Sequence, residues 1–332
     1  MITFNALSLD ELCSRLCQNK STLIIYHVRS DADAVGSAFA LRELLRLMGI
    51  AAICLCDDEV PERLRFLSDD FQGSVVAEEG MSFGHERVIS VDSASPSQLG
   101  KLFERLHRDV DIMIDHHASG TVYADNYVDP EAAATGEIIF EIAQKLKKDG
   151  KIPAIPPRVV DCIYAAISSD TGGFKYSNVT PKTHMTAAKL IEMGARAAEI
   201  NHLLFSSKSL KQMRAEAEAA SRLHLFADGR VASVCVPFEV CERLELRDEH
   251  LDTVIEIPRC VEGVEVAFAI RQSAPEAEYR VSMRSATEFD VASVCREFGG
   301  GGHVKAAGCG VRAESIEHAE QLIVAAIIKK LK

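Results

Sequence analysis

Short apolar runs in the first half of the chain lead directly into acidic or histidine side chains. The runs are 23–26, 88–91 and 112–114, and His27, Asp92 and Asp115 follow or end the strands they indicate. Continuous apolar runs of this length are typical of buried strands. Because the carboxyl ends of parallel strands open into one crevice, residues far apart in sequence can meet there. The pattern predicts a polar site at one edge of an α/β sheet.

Helical patterns alternate with these runs, at 37–48, 98–106, 136–148 and 157–169. Such alternation predicts parallel βαβ units. With 332 residues, 47% of them hydrophobic, the chain exceeds what a single core usually supports. We therefore expect an α/β protein with an N-terminal parallel-sheet domain (1–195), a helical connector (196–222) and a smaller C-terminal mixed-sheet α/β domain (223–332).

The composition limits the kinds of molecule that the protein is expected to bind. The formal net charge is -12, which argues against a broad basic face that binds long duplex nucleic acid, whereas short anionic substrates remain open. The sequence has no apolar run of the roughly 18 residues that a membrane span needs. Its ten cysteines include no Cys-x-x-Cys pair of the zinc or redox type. We expect a cytoplasmic protein with reduced thiols and no membrane association.

Acids and histidines recur at the predicted element ends. The full set is His27, Asp31, Asp33, Asp92, Asp115, His116, His117 and Asp170. Single aspartates at such positions often cap helices, and glycines often follow a helix end, as they do after Asp170. Capping explains individual members but not their recurrence along one alternating sheet. The conjunction favours a site for two metal ions.

This set resembles the motifs of the DHH phosphoesterase family, which match His27/Asp31/Asp33, Asp92, Asp115–His116–His117 and Asp170 in order. The resemblance continues at 281–285 and 299–303, which look like parts of the DHH-associated C-terminal domain. Length and domain pairing are most similar to the nanoRNase (oligoribonuclease) and pAp-phosphatase subfamily. Two positions depart from the family pattern: Ser30 stands where proline is common, and Gln98 where an arginine often occurs.

The resemblance implies two divalent ions that share one ligand. It places the first ion on His27, Asp31 and Asp92, and the second on Asp33, Asp92, His116 and Asp170. Carboxylates mixed with imidazole suit manganese better than magnesium. In this scheme His117 neutralises charge on the phosphate, and Asp115 orients a histidine.

The resemblance also implies phosphate contacts in the C-terminal domain. The implied residues are Arg284, Ser285, Gly300, Gly301, Gly302 and His303. Glycine lets backbone N–H groups approach an anion, although a tight turn is the alternative explanation for the run.

The substrates implied are very short RNA or linear dinucleotides, giving nucleoside 5'-monophosphates, and pAp. A cyclic-dinucleotide phosphodiesterase, a family II inorganic pyrophosphatase and a non-catalytic nucleotide-binding regulator remain alternatives. The sequence does not decide whether the protein forms a homodimer.

Overall fold

The computed structural model describes residues 4–68, 74–76, 84–106, 109–272, 274–275 and 278–331. The chain divides into two compact units, Met1–Ser207 and Lys208–Lys332. This division falls inside the segment 196–222 that the sequence indicates as a connector.

The first unit consists of a sheet with helices on both faces. Its strands within the described residues are β1 (Thr22–Tyr26), β2 (Ala52–Cys56), β3 (Ser74–Val76), β4 (Arg87–Val91), β5 (Ile112–Asp115) and β6 (Asp125–Val128). Its α-helices in the same residues are α1 (Leu9–Leu16), α2 (Ala32–Leu47), α3 (Leu102–Arg105), α4 (Thr135–Lys148), α5 (Pro157–Asp170), α6 (Pro181–Glu192) and α7 (Ala197–Asn201). Two 3-10 helices (Glu62–Leu67 and Pro96–Leu99) and a π-helix (His202–Ser206) lie between them.

The strand order of this sheet is β3-β2-β1-β4-β5-β6, and every neighbouring pair is parallel. Strands β2 and β3 lie on one side of β1, and the chain then crosses to the other side, where β4, β5 and β6 follow. Connections that diverge in this way leave a crevice at the carboxyl ends of β1 and β4. The predicted parallel sheet is confirmed, and its crevice lies where His27 and Asp92 follow their strands.

Strand β1 is apolar from Leu23 to Tyr26 because both faces of the sheet are covered there. In β1, Ile24 and Tyr26 join the core formed with α2, α4 and α5, whereas Leu23 and Ile25 join the core on the opposite face. A strand buried on both sides has no solvent-facing position to mark with a polar residue.

Glycines bring the helices of the larger core close together. A Cβ atom on Gly36 of α2 would lie 2.5 Å from the carbonyl oxygen of Cys162 in α5. A Cβ atom on Gly136 of α4 would lie 2.6 Å from the Cβ of Ala166. The ends of α2, α4 and α5 therefore approach closely beside the crevice.

One helix prediction in this unit was wrong. The segment 98–106 is not a single helix, because a 3-10 helix ends at Leu99 and α3 begins only at Leu102. Gly100 separates them with φ +64°, outside the helical region. A Cβ atom there would lie 2.4 Å from Asp57 Oδ2, so the chain turns where a larger residue would not fit.

The second unit has a mixed sheet. Its strands within the described residues are β7 (Leu223–Phe226), β8 (Val231–Val236), β9 (Val266–Arg271), β10 (Tyr279–Ser285), β11 (Gly301–His303) and β12 (Ala306–Val311). Its helices there are α8 (Leu210–Ala220), α9 (Phe238–Arg243), α10 (Asp248–Leu251), α11 (Glu256–Arg259), α12 (Val291–Glu297) and α13 (Ile316–Lys330). The order is β11-β12-β10-β9-β8-β7, in which only the pair β8 and β9 is parallel among the described strands. The predicted mixed sheet is confirmed.

Helix α8, which lies in the segment predicted as a connector, packs into the second unit. Its Ala215 and Ala219 share a core with Val234 and Val236 of β8. The other face of the sheet packs against α12 and α13.

Across the part of the chain that the structure describes, no helix combines the length and the apolar character needed to span a bilayer.

Candidate metal centre

The loop between β1 and α2 supplies the first group of polar side chains. His27 follows the strand, and Asp31 is the N-cap of α2, where its Oδ1 accepts hydrogen bonds of 3.0 Å from the backbone N–H groups of Asp33 and Ala34. Asp31 thus has the capping role that the residue type suggests. Its second oxygen, Oδ2, takes no part in these capping bonds.

Asp33 is fully buried and contacts a different helix. Its Oδ2 accepts from the backbone N–H of Thr135 at 2.7 Å, and its Oδ1 from that of Gly136 at 2.9 Å and from the Ser37 hydroxyl at 2.9 Å. Residue 134, the N-cap of α4, is an alanine without a capping side chain. Asp33 therefore caps α4 from outside and is held beside the positive end of that helix.

Asp92 lies directly after β4 in a left-handed backbone conformation with φ +54°. Its N–H donates to the carbonyl of Ile114 at 2.9 Å, and the next residue accepts from the Tyr123 hydroxyl at 2.9 Å. The buried carboxylate accepts from the Thr135 hydroxyl at 2.9 Å. A non-glycine residue in this region is strained unless its surroundings hold it, and such residues concentrate at functional sites.

Asp115 ends β5 and orients the histidines that follow. Its Oδ1 accepts from the backbone N–H groups of His116 at 2.8 Å and His117 at 3.3 Å, and lies 2.7 Å from Nδ1 of His117. The carboxylate is fully buried, so it orients the His117 imidazole and the backbone of both histidines without itself reaching solvent.

The other two histidines have one ring nitrogen assigned to a carbonyl group. Nδ1 of His27 lies 3.0 Å from the carbonyl oxygen of Val28, and Nδ1 of His116 lies 3.2 Å from that of Ala132. A donor role at Nδ1 leaves Nε2 as the atom for a cation, which is the usual arrangement behind metal-binding histidines.

The side chains assemble into three groups that could hold a metal ion. Within each group the ligand atoms lie within 4.8 Å of one another, and the groups among the described residues are His27/Asp31/Asp92, Asp33/His116/Asp170 and Asp92/His116/His117. Nε2 of His27 lies 3.6 Å from Oδ2 of Asp92, and Nε2 of His116 lies 3.8 Å from Oδ1. The two oxygens of Asp92 thus face different groups.

The electrostatics of this cluster are those of crowded carboxylates. Burial and the charges of Asp92, Asp170 and Asp31 raise the pKa of Asp33 well above its ordinary value, and burial with the charges of Asp31 and Asp92 does the same for the pKa of Asp170. Burial opposes protonation of His27, yet its contacts with Asp31 and Asp92 outweigh this and raise its pKa to about 11.

Asp31 and His117 also have shifted pKa values. Burial would raise the pKa of Asp31, but His27 and the backbone N–H groups outweigh it and lower the value to about 2. The hydrogen bond to Asp115 raises the pKa of His117 to about 9, against the opposing effect of burial.

The crowded carboxylates and the imidazole nitrogens of this cluster suit the binding of divalent cations. Without a cation, the neighbouring aspartates repel one another and their ionisation is disfavoured, as the raised pKa values of Asp33 and Asp170 indicate. A bound cation would let both ionise. Carboxylate oxygens with an imidazole nitrogen are also a donor set that transition metals accept.

The predicted substrate residues of the second unit fall on two faces of its sheet. Arg284 of β10 and His303 of β11 both pair with Ala306 of β12, so the three side chains form one row on one face. Ser285 lies on the opposite face, where its hydroxyl donates to the carbonyl of Thr287 at 3.0 Å. The structure thus brings Arg284 and His303 together and separates Ser285 from them.

The glycine run is partly a strand. Gly301 and Gly302 belong to β11, in which Gly302 pairs with the core residue Ala307 of β12. A Cβ atom on Gly300 would lie 2.2 Å from the carbonyl oxygen of Gly308, and one on Gly302 would lie 2.6 Å from that of Ala306. Gly301 has open space at its Cβ position. Close packing therefore accounts for Gly300 and Gly302, whereas nothing in the packing requires glycine at 301.

The two departures from the family pattern have defined places. Ser30 is buried immediately before the α2 cap. Gln98 accepts from the backbone N–H of Ser95 at 3.2 Å, so it caps the 3-10 helix at the position where an arginine often occurs.

The comparisons with known proteins match this arrangement. Residues 21–167 match the model of the DHH family, N-terminal domain, and residues 232–330 match that of the DHHA1 domain. The chain therefore contains a DHH-family N-terminal domain and a DHHA1 domain, and we refer to it as the DHH protein.

Relatives of similar length support the assignment. The DHH protein is 28% identical to the bifunctional oligoribonuclease and PAP phosphatase NrnA of Thermus thermophilus over 93% of this chain and 89% of the relative. It is 26% identical to the protein of the same name from Bacillus subtilis over 87% and 89% of the two chains. An exopolyphosphatase-related protein from Bacteroides fragilis shares its fold, with a TM-score of 0.87, 19% identity and coverage of 97% and 95%.

Two residues that position these candidate ligands could not be recognised from the sequence. Thr135 contacts both Asp33 and Asp92, and Tyr123 fixes the chain after Asp92. A threonine at a helix start and a tyrosine before a strand are common, so neither residue is recognisable without the fold.

Proposed function

We propose that the DHH protein is a divalent-metal-dependent phosphoesterase, with manganese as its preferred metal, that hydrolyses very short RNA and linear dinucleotides to nucleoside 5'-monophosphates and pAp to AMP. The observation that supports this most directly is the position of Asp92. Its two oxygens face the group of His27 and the group of His116, as expected of a ligand that two cations share.

In this proposal His27, Asp31 and Asp92 hold one cation, and Asp33, Asp92, His116 and Asp170 hold the other. Such a pair polarises a phosphoryl oxygen and lowers the pKa of the attacking water. An imidazole nitrogen in each set favours manganese over magnesium, which prefers oxygen ligands and retained water.

The chain's own residues would supply orientation and charge. Asp115 accepts from Nδ1 of His117, which orients the imidazole and favours its cationic form by raising its pKa. A cation fixed beside the ligands stabilises negative charge that grows on the phosphoryl oxygens.

Phosphate recognition in the second unit is assigned to Arg284 and His303 on one sheet face. Arg284 provides a planar guanidinium group, and Gly301 and Gly308 in the adjacent row leave the backbone uncovered by side chains. Ser285, Gly300 and Gly302 would contribute indirectly, by holding the strands that carry Arg284 and His303 in position.

The proposed substrates agree with the activities for which two relatives are named. The names of the Thermus thermophilus and Bacillus subtilis proteins give oligoribonuclease and PAP phosphatase activities, and both align with most of this chain. With 6% aromatic residues and no tryptophan, an extended stacking surface for long single strands is not expected.

The test is a turnover panel with metal-free protein to which manganese or magnesium is returned. The substrates are pApA, pAp, a cyclic dinucleotide and pyrophosphate, and products are separated by chromatography. We expect AMP from pApA and pAp, faster with manganese. Saturable binding without hydrolysis, or turnover of pyrophosphate or the cyclic dinucleotide alone, would contradict the proposal.

The Asp92→Asn variant provides the matched control for this panel. Asparagine tolerates a positive φ and can still accept from Thr135, but it carries no charge. We expect a loss of at least about 100-fold in turnover, since residues behind metal ligands already contribute 10- to 100-fold. Circular dichroism should show an unchanged fold.

A further inference from the structure

Thr135 is placed between the two proposed ligand sets. It is the first residue of α4 and is fully buried. Its hydroxyl donates to Oδ1 of Asp92 at 2.9 Å, and its backbone N–H donates to Oδ2 of Asp33 at 2.7 Å. One residue therefore contacts the shared ligand through its side chain and a ligand of the second set through its backbone.

We propose that the Thr135 hydroxyl is a positioning group that fixes the orientation of the Asp92 carboxylate and so allows it to serve both cations. This inference rests on the proposed two-metal function. Thr135 does not contact the cations or the substrate in this scheme and acts only through Asp92.

The geometry around Asp92 explains why such a group is needed. The atoms facing its carboxylate from the histidines are 3.6 to 3.8 Å away, too far for good hydrogen bonds. The Thr135 hydroxyl, at 2.9 Å, is the hydrogen-bonding partner that can hold the plane of the carboxylate. It contacts Oδ1, which also faces His116, while Oδ2 faces His27.

The position of Thr135 is itself well determined. Its N–H is held by Asp33, and the adjacent Gly136 N–H donates to the same carboxylate at 2.9 Å. Close packing of Gly136 against Ala166 fixes the start of α4 against α5. The hydroxyl thus projects from a rigid helix start, as a positioning group must.

A purely structural role makes different predictions, and two substitutions separate them. Thr135→Val retains the branched shape and the backbone N–H to Asp33 but removes the hydroxyl. Thr135→Ser retains the hydroxyl. Thr22→Val is the matched control, because Thr22 is also a buried threonine whose hydroxyl is hydrogen-bonded, here to Lys20 and Arg87, at the opposite end of β1 from His27.

The experiment is a calorimetric titration of each metal-free protein with manganese, together with thermal unfolding of the same samples. We expect Thr135→Val to weaken the binding of at least one ion by about 10- to 100-fold, the usual effect of losing a group behind a ligand. Thr135→Ser should retain wild-type affinity. Thr22→Val should lower thermal stability and leave the affinity unchanged.

The outcomes distinguish this inference from the proposed function. Wild-type affinity in Thr135→Val would overturn the positioning role, even if the variant is less stable. Weaker binding in Thr135→Ser equal to that of Thr135→Val would overturn it as well, because the hydroxyl would not be the cause. If the wild-type protein binds no divalent ion, the proposed function fails, and the inference fails with it.

Discussion

Backbone N–H groups hold the carboxylates at the crevice. Asp33 accepts from the first N–H groups of α4, Asp31 from those of α2, and Asp115 from the two residues that follow it. These donors carry fixed partial positive charge and cannot neutralise an anion as a lysine would. The carboxylates are therefore oriented while their negative charge remains for a cation.

Asp125 provides a contrast outside the crevice, because here an arginine is the partner. Its Oδ2 lies 2.6 Å from Nη1 of Arg15 in α1, and its Oδ1 accepts from the backbone N–H of Asn5 at 2.7 Å. These contacts attach the N-terminal segment and α1 to β6. The hydrogen bond from Asn5 and the interaction with Arg15 lower the pKa of Asp125 below its ordinary value.

This shift predicts how Asp125 contributes to stability as pH changes. A carboxyl group whose folded-state pKa is lowered stabilises the fold above its unfolded pKa, near 3.9, and loses that contribution as pH falls through the folded value. We expect Asp125→Asn to lower the free energy of unfolding by about 1 kcal/mol at pH 7. The difference from wild type should disappear in acid.

Urea unfolding followed from pH 7 to pH 3 measures this effect. Asp10→Asn is the control, because Asp10 also pairs with a basic side chain, Lys145, but is largely exposed. Solvent screening should leave that variant close to wild type at both pH values. A difference for Asp125→Asn that persists undiminished at low pH would contradict the assignment.

At the scale of elements, the glycine run combines packing with the proposed phosphate contact, and single substitutions separate the two. Gly300→Ala and Gly302→Ala place a Cβ atom within 2.6 Å of backbone oxygen, so we expect each to destabilise the second unit by about 1–3 kcal/mol. Gly301→Ala meets open space and should leave stability unchanged. If the backbone at 301 approaches phosphate, this variant should raise KM.

Thermal unfolding and steady-state kinetics on pApA check these expectations together. The informative variant is Gly301→Ala, since it changes no packing contact. A KM equal to that of wild type would remove residue 301 from the proposed phosphate site. Unchanged stability in Gly300→Ala would show that the close approach to Gly308 is not required.

The elements differ in how far the sequence could predict them. Strands β1, β4 and β5 are largely apolar runs because both faces are buried, so the positions of these strands and of the acidic and histidine residues at their ends were predictable. Strand β11 has only three residues, two of them glycine, and exists because it pairs with β12. The short helices α9, α10 and α11 were not predicted, since four to six residues carry too little periodicity to be recognised.

The residues that we propose as ligands could be named from the sequence, but the orientation of their side chains could not. Asp33 could be named from its position beside Asp31, yet its contact with the start of α4 joins residues 102 positions apart. The role of Thr135 could not be predicted for the same reason. Long-range hydrogen bonds of this kind depend on how α2 and α4 pack against α5, which glycines at 36 and 136 permit.

At the scale of the whole molecule, charge limits the substrate. The chain has 49 acidic and 37 basic side chains, and its net charge of -12 opposes the approach of a polyanion. Binding energy must then come from a few phosphates held at defined positions. A longer RNA adds repulsion along the chain without adding many contacts.

This predicts a weak dependence of turnover on salt and a decline with RNA length. Each neutralised phosphate of a single strand contributes a slope of about -0.7 to log K against log salt, so about two contacted phosphates give a slope near -1.4. We expect kcat/KM to follow this slope for a dinucleotide and to be highest for the shortest of RNAs of two, five and twenty nucleotides. Its decline with salt should be shallower for the longer RNAs, because salt screens their repulsion. The measurement is turnover of end-labelled RNA across a range of potassium chloride concentrations at fixed manganese.

A slope that steepens with RNA length would reveal an extended basic surface and contradict the restriction to short substrates. A slope near zero for the dinucleotide would mean that phosphate contacts contribute little to its recognition.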